Sequence, residues 1–202
     1  MKLSSQNKIL KFKILKNEIY RKSLHITLGT FLILFYINLG KVFSVILFSS
    51  LLFLAIISDI IRIRLYFINP IKRINETLVR SYETSSIGAH TYFFAGLLAS
   101  LLLFDPNSFI FAAIIATYID PLMSLIGITI NGISHPYNRS KSIIGTVIGC
   151  LVTALLAMVL YNNIVFASLA SLLLYLLDSL PLSINDNFIY PVIFSLLSSS
   201  LL

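Results

Sequence analysis

From residue 24 to the C-terminus the chain is a succession of apolar runs parted by short polar breaks, and only residues 59–86 interrupt that pattern at length. Charged residues make up 11% of the 202, where a soluble domain carries about 25%. Too little polar surface remains to coat a globule in water. A membrane-spanning helix needs ~20 predominantly apolar residues, and the runs at 24–39, 42–58, 87–104, 108–127, 143–161, 164–177 and 188–202 approach that length. They predict an all-α integral membrane bundle of about seven transmembrane helices, with no room for a separate soluble domain.

Residues 1–23 carry seven of the fifteen Lys and Arg and read as a basic, weakly amphipathic segment on the cytoplasmic membrane surface, ahead of a single transmembrane domain over 24–202. No small-residue cleavage site follows the first apolar run, so that run is expected to be retained as a span. The connection 59–86 reads as two further amphipathic cytoplasmic helices, broken at Asn69 and Pro70. Sides that alternate from a cytoplasmic N-terminus put 1–23, 59–86, 128–142 and 178–187 on the cytoplasmic face, with every Lys and Arg except Lys41. That is the positive-inside distribution. Acids contribute little to orientation, yet six of the eight fall in these segments and Asp120 lies in the half of its run that leads to one, with only Asp105 apart. A site on the cytoplasmic face accounts for them. The net charge of +7 is thus matched to anionic membrane lipid and not to nucleic acid. The single cysteine, Cys150, rules out an internal disulfide or a cysteine metal cluster and reads as a small packed residue.

Four polar clusters fall on that face. Glu18, Arg21, Lys22, His25 and Gly29 lie within about 100° of one another around a helix. A Glu18–Lys22 pair at i, i+4 suits a simple membrane anchor, whereas an imidazole inside a span usually faces a cavity or a partner. Asp120 lies in an apolar run, where a carboxylate costs at least ~2.5 kcal/mol. With Pro121 it reads either as a kink whose acid pairs with a distant base, or as a Mg²⁺ ligand or catalytic base. Mg²⁺ sites use one or two carboxylates and leave positions for phosphate oxygens. Arg139, Lys141, Ser142 and Gly145 open the next run. A helix start with a lysine, a capping serine and a glycine suits a phosphate, and suits equally an ordinary N-cap with an interfacial lysine. Asp178, Asp186 and Asn187 are either further site groups or a solvated loop that caps the last helix. No GxxxxGKS, GxGxxG or HExxH string is present, so the sites those motifs mark are absent.

On these residues the chain resembles the membrane polyprenol kinase family, which includes dolichol kinase, phytol kinase and the CTP-dependent diacylglycerol kinase. The resemblance covers most of the chain from Glu18 onward. The family's E-x-x-R-K-x-x-H-x-x-x-G stands here as Glu18, Arg21, Lys22, His25 and Gly29. Its Asp-centred run and KSxxG stand as Asp120, Ser124, Gly127, Lys141, Ser142 and Gly145. Its closing acid and D-N-x-x-x-P stand as Asp178, Asp186, Asn187 and Pro191. The chain departs from the pattern at Ile119, where the family has Gly, at Met123, where a small residue is usual, and at Asp178, where Glu is commoner.

The resemblance implies a catalytic domain that transfers a phosphoryl group from CTP, or another nucleoside triphosphate, to the hydroxyl of an isoprenoid or other lipid alcohol, with Mg²⁺ as cofactor. Such transfer is mostly positioning and charge neutralisation. Arg21, Lys22, Arg139 and Lys141 are then candidates to hold phosphates, with Ser142 and Gly145 completing the nucleotide site. Asp120, Asp186 and Asn187 are the metal candidates. Asp120, His25 and Asp178 are the candidate catalytic groups, the last two as acceptors of the hydroxyl proton. A lipid cytidylyltransferase needs the same cations and metal, and a transporter or scaffold could use Asp120 and Pro121 as a broken-helix ion site.

Overall fold

The computed structural model describes residues 2–64, 86–130 and 133–201, the side chains of 2–14 excepted. The order is α1 (Lys2–Arg64), α2 (Ala89–Leu103), α3 (Pro106–Ile114), a π-turn (Ile115–Ile119), α4 (Asp120–Thr129), α5 (Ile143–Tyr161), α6 (Ile164–Ser179) and α7 (Asp186–Leu201). Among the described residues there is no strand, only one isolated bridge between Ser134 and Ser142. Three helical stretches are long and apolar enough to cross a membrane by length and composition: Leu15–Arg64, Pro106–Thr129 and Ile143–Tyr161. Phe31, Leu34, Ile46, Phe53, Leu151 and Leu155 stand exposed on the outer faces. Lipid solvates such a surface, whereas in water it would drive aggregation.

α1 consists of two arms. Gly40 has φ 76° and ψ −175°, a region that glycine alone occupies readily. The chain reverses there. The ring of His25 lies 4.2 Å from that of Phe93, while Asp59 accepts a hydrogen bond from Thr91, two residues earlier, at 2.7 Å. In a straight helix residues 25 and 59 would stand about 50 Å apart. The turn expected at Gly40 and Lys41 is therefore a one-residue break. Two boundaries differ from expectation. The first arm runs on from Lys2 with no interruption at residue 23, and the second continues through Asp59 to Arg64. The remainder of the expected interfacial pair, with Asn69 and Pro70, lies outside the described residues.

The other breaks follow local chemistry. Asp105 caps α3 by accepting from the N–H groups of Asn107 and Ser108, with Pro106 in the first turn. Asn162 ends α5 in the left-handed region, and Asn163 caps α6 through Val165 and Phe166. Pro121 has no N–H to give the carbonyl four residues back. The π-turn just before it absorbs that gap, with the Asp120 N–H reaching the carbonyl of Ile115.

α5 packs along α6, α7 lies against α2 and α3, and α1 covers α2 and α4. The contacts use small and hydroxyl residues, as expected where lipid gives helices no hydrophobic reason to associate. Ser195 of α7 pairs with Ser100 of α2 at 2.5 Å and donates to the carbonyl of Ser108 at 3.2 Å. The helix ends sort into two groups. Lys41 reaches the carbonyl of Leu102 at 3.5 Å, and the Tyr161 hydroxyl donates to that of Asn107 at 3.2 Å, so the turns at 40, 104–106 and 162 share one end of the bundle. Apart from Lys41 and Asp105, the charged residues whose side chains are described gather at the other.

Candidate active site

One face of the first arm lies against the π-turn and the start of α4. Lys22 pairs with Asp120 at 2.7 Å, His25 Nε2 donates to the carbonyl of Ala116 at 3.1 Å, and Gly29 abuts Thr117. The arc drawn from Glu18 to Gly29 is thus a packing face, and its spacing of three and four residues follows the helix it meets. Because a carbonyl only accepts, His25 carries its proton on Nε2. Arg21 turns back to Glu18 at 2.6 Å.

Lys141 arrives from the loop between α4 and α5. Its backbone accepts from the N–H of His135 and donates to the carbonyl of Asn138, both at 3.0 Å, and the N–H of Ile143 donates to the carbonyl of Ile133 at 2.9 Å. Asn138 clips the loop to the end of α6 through the carbonyls of Asp178 and Leu180. The Lys141 ammonium then stands among three carboxylates from three helices: Asp186 at 2.5 Å, Asp178 at 2.9 Å and Asp120 at 4.0 Å. Burial disfavours its charge, but Asp186, Asp120 and Asp178 outweigh that and hold its pKa above the ordinary lysine value. Burial, with help from the Asp120 and Asp178 charges, pushes the Asp186 carboxyl above its ordinary value despite the pull of Lys141. Two ammonium groups face three carboxylates, so the fully ionised cluster keeps one negative charge in excess.

Asp178 is the most fully oriented of the three. Thr146 donates to one of its oxygens, and the Tyr190 hydroxyl donates to the other at 3.2 Å. The Thr146 hydroxyl in turn meets Nε2 of the buried His135 at 2.9 Å. With its own proton on Asp178, Thr146 accepts from the imidazole.

The structure therefore brings together Lys22, Asp120, Lys141, Asp178 and Asp186, with His25 one helical turn from Lys22. Ser142 and Gly145 take the helix-start part, one of the two readings their sequence allowed. Ser142 caps α5 by accepting from the N–H of Gly145 at 3.5 Å, and the buried Gly145 abuts the carbonyl of Met123, leaving no space for a Cβ. These groups shape the helix start and bond within the protein itself. Arg139 is exposed and makes no hydrogen bond or ion pair with a described residue. Asn187 donates its amide to the carbonyl of Ala89 at 3.2 Å and braces α7 on α2.

Asp120 and Asp186 each lie on the Lys141 ammonium, 4.0 and 2.5 Å away, so those oxygens are at most 6.5 Å apart. Hard oxygen donors and surplus negative charge fit a Mg²⁺ ion. Among the described residues no group of three or more His, Cys, Asp or Glu is arranged to hold a metal alone. Two carboxylates would have to share it with oxygens of a ligand.

Sequence reasoning missed Thr146, His135 and Tyr190, whose hydroxyls and ring carry no motif of their own. Thr146 stands one turn after Ser142 on the face that meets α6, the only signal it offered. A second buried pair was missed as well. Asp59 accepts from Arg62 at 2.6 Å, from the Gly88 N–H at 2.9 Å and from Thr91, joining the second arm of α1 to α2. Two surface cavities, one between α5 and α6 and one near Asp105 and Tyr161, are lined by none of the cluster residues.

Comparison with known proteins finds no matching family model, no matching curated protein and no matching solved structure.

Proposed function

We propose that the protein is a lipid-alcohol kinase of the polyprenol kinase type, which transfers the γ-phosphoryl group of CTP or another nucleoside triphosphate to the hydroxyl of an isoprenoid or similar alcohol. The observation that carries this reading is the convergence of Lys22, Asp120, Lys141, Asp178 and Asp186, from four helices and the loop before α5, at one end of an apolar bundle. Buried ionisable groups are costly and are usually kept in membrane helices for function. The chain crosses the bilayer seven times in this account, as two arms of α1 followed by α2, the stretch from α3 to α4, α5, α6 and α7. The N-terminus and the cluster face the cytoplasm, where the nucleotide is.

Lys22 and Lys141 neutralise phosphate oxygens. Arg21 supplements them from one residue away. Asp120 and Asp186 are the residues that would hold Mg²⁺, which would supply further charge neutralisation. Asp178 takes the hydroxyl proton. It is oriented by Thr146 and Tyr190, as a positioned base must be. The alcohol oxygen forms a bond to the γ-phosphorus, the bond from that phosphorus to the bridging oxygen breaks, and the nucleoside diphosphate leaves with the electron pair. His25 spends its Nε2–H on Ala116 and its ring on Phe93, so it anchors the first arm beside the site.

Paired assays with α- and γ-labelled CTP and ATP, offered with isoprenoid alcohols and diacylglycerol, test the reading. It predicts label in the lipid from the γ position only, with release of nucleoside diphosphate. Label from the α position with release of pyrophosphate would make the protein a cytidylyltransferase instead.

A further inference from the structure

Between α5 and α6 lies an open groove of about 460 Å³, lined by Cys150 and Ala154 on one side and by Ser168, Ser171, Leu172 and Tyr175 on the other. Three of these six residues are serine or cysteine, yet the groove offers almost no polar atom to an occupant. Ser168 donates its hydroxyl to the carbonyl of Ile164 at 2.8 Å. Ser171 donates to the carbonyl of Cys150 at 3.1 Å, and the Cys150 thiol donates back to that of Ser171 at 3.4 Å. Each of these three polar groups is satisfied by backbone, which leaves the Tyr175 hydroxyl as the polar group still on offer. No charged side chain lines the groove, so it suits neither a nucleotide nor a phosphate.

Its two ends differ. Ser168 and Ala154 lie along the middle of the helix pair, while Tyr175 lies two turns further along α6, about 10 Å nearer the charged end. The Tyr175 hydroxyl makes no hydrogen bond with a described residue. Its ring meets that of His135, with centroids 5.8 Å apart. His135 contacts Thr146, and Thr146 donates to Asp178. An apolar trough on the lipid-facing flank thus ends in a phenol one turn from Asp178 and joined to it through two buried side chains.

We propose that this groove seats the hydrocarbon tail of the acceptor alcohol, which enters sideways from the bilayer with its hydroxyl end toward Tyr175 and Asp178. The inference rests on the phosphoryl-transfer reading and adds to it the place and direction of the lipid substrate. Small walls leave room for one chain along the helix pair. Tyr175 receives the one polar end of a molecule that is otherwise hydrocarbon. Tail length is then read in the groove, and the hydroxyl chemistry in the cluster.

The test is photolabelling of the full chain in lipid nanodiscs with a long-chain alcohol that carries a diazirine in its tail, alongside a turnover assay of the same sample. The proposal predicts label in peptides spanning 150–154 and 168–175, and competition by an unlabelled long-chain alcohol but not by an alkane of equal length. In the double variant Ala154→Phe with Ser168→Phe, labelling falls at least about tenfold, and KM for a long-chain alcohol rises about as much while turnover of a short soluble alcohol is kept. Label spread evenly over the lipid-facing helices, or undiminished in the filled variant, overturns the groove. Crosslinking of two copies through Cys150 that excludes the probe overturns it as well. Competed labelling without turnover leaves the groove standing and sinks the kinase. Turnover with labelling elsewhere does the reverse.

Discussion

Lys22 and Asp120 are each less than a tenth exposed and meet at 2.7 Å. Removing one member of a buried ion pair leaves the other charge without compensation and costs about 3–5 kcal/mol. Lys22→Met should therefore lower the melting temperature in detergent sharply, and Lys22→Met with Asp120→Leu should recover most of the loss; equal destabilisation by both would argue against the pair. Asp186 should behave in the opposite sense. A carboxyl whose folded pKa lies above its unfolded value weakens folding at pH above that folded value, and the penalty fades as pH falls. Burial raises Asp186 in this way. Asp186→Asn should hold or raise the melting temperature at pH 7.5, with the difference from the parent vanishing below the unfolded carboxyl value of about 3.9. The same variant should lose about 100-fold in turnover. A clear drop in stability at neutral pH would contradict the assignment of Asp186 as a group kept for function.

At the scale of the element, two glycines carry different constraints. A Cβ on Gly40 would meet no neighbour, but its φ of 76° excludes an ordinary side chain. Gly40→Ala should cost about 1–3 kcal/mol through backbone strain alone. Gly145→Val should fail for the other reason, since its Cβ would strike the Met123 carbonyl and push α5 from α4. Denaturation of both variants, with proteolysis of the α4–α5 loop as a second readout, separates the two mechanisms: only the second should open the loop. The elements themselves were legible because apolar runs and turn residues mark helix limits strongly. Asp105 and Asn163 cap as their chemistry suggests, and Ser142 does so as well. The π-turn was not legible. Asp120 and Pro121 announced a disturbance, but its form depends on how the first arm packs against residues 116–120.

For the whole molecule, the charged end and the turn end define an orientation that accessibility can check. In a Cys150→Ala background, single cysteines at Lys41 and Asn162 should react with an impermeant maleimide from outside, and cysteines at Ser140 and Leu182 only after permeabilisation. The reversed pattern would place the cluster on the wrong side for a cytoplasmic nucleotide. The sequence made the clustered charges conspicuous because carboxylates stand out against apolar runs, and Lys22 and Lys141 with Asp120, Asp178 and Asp186 are the part of the site that could be anticipated. Asn187 matched a motif and Arg139 stood two residues before one, yet both lie outside the cluster, and Thr146, His135 and Tyr190 lie inside it without one. Motif spacing records proximity along the chain, whereas these contacts depend on how α5, α6 and α7 meet.

The central claim is that the lysine–carboxylate cluster transfers phosphate to lipid. The most direct measurement is γ-label transfer from CTP or ATP into organic-extractable lipid by purified protein, compared among the parent, Asp120→Asn, Lys141→Ala and the far-end control Lys41→Ala. The account predicts transfer by the parent and by Lys41→Ala, and a loss of about 100-fold or more in the two cluster variants. Full transfer by both cluster variants would contradict it.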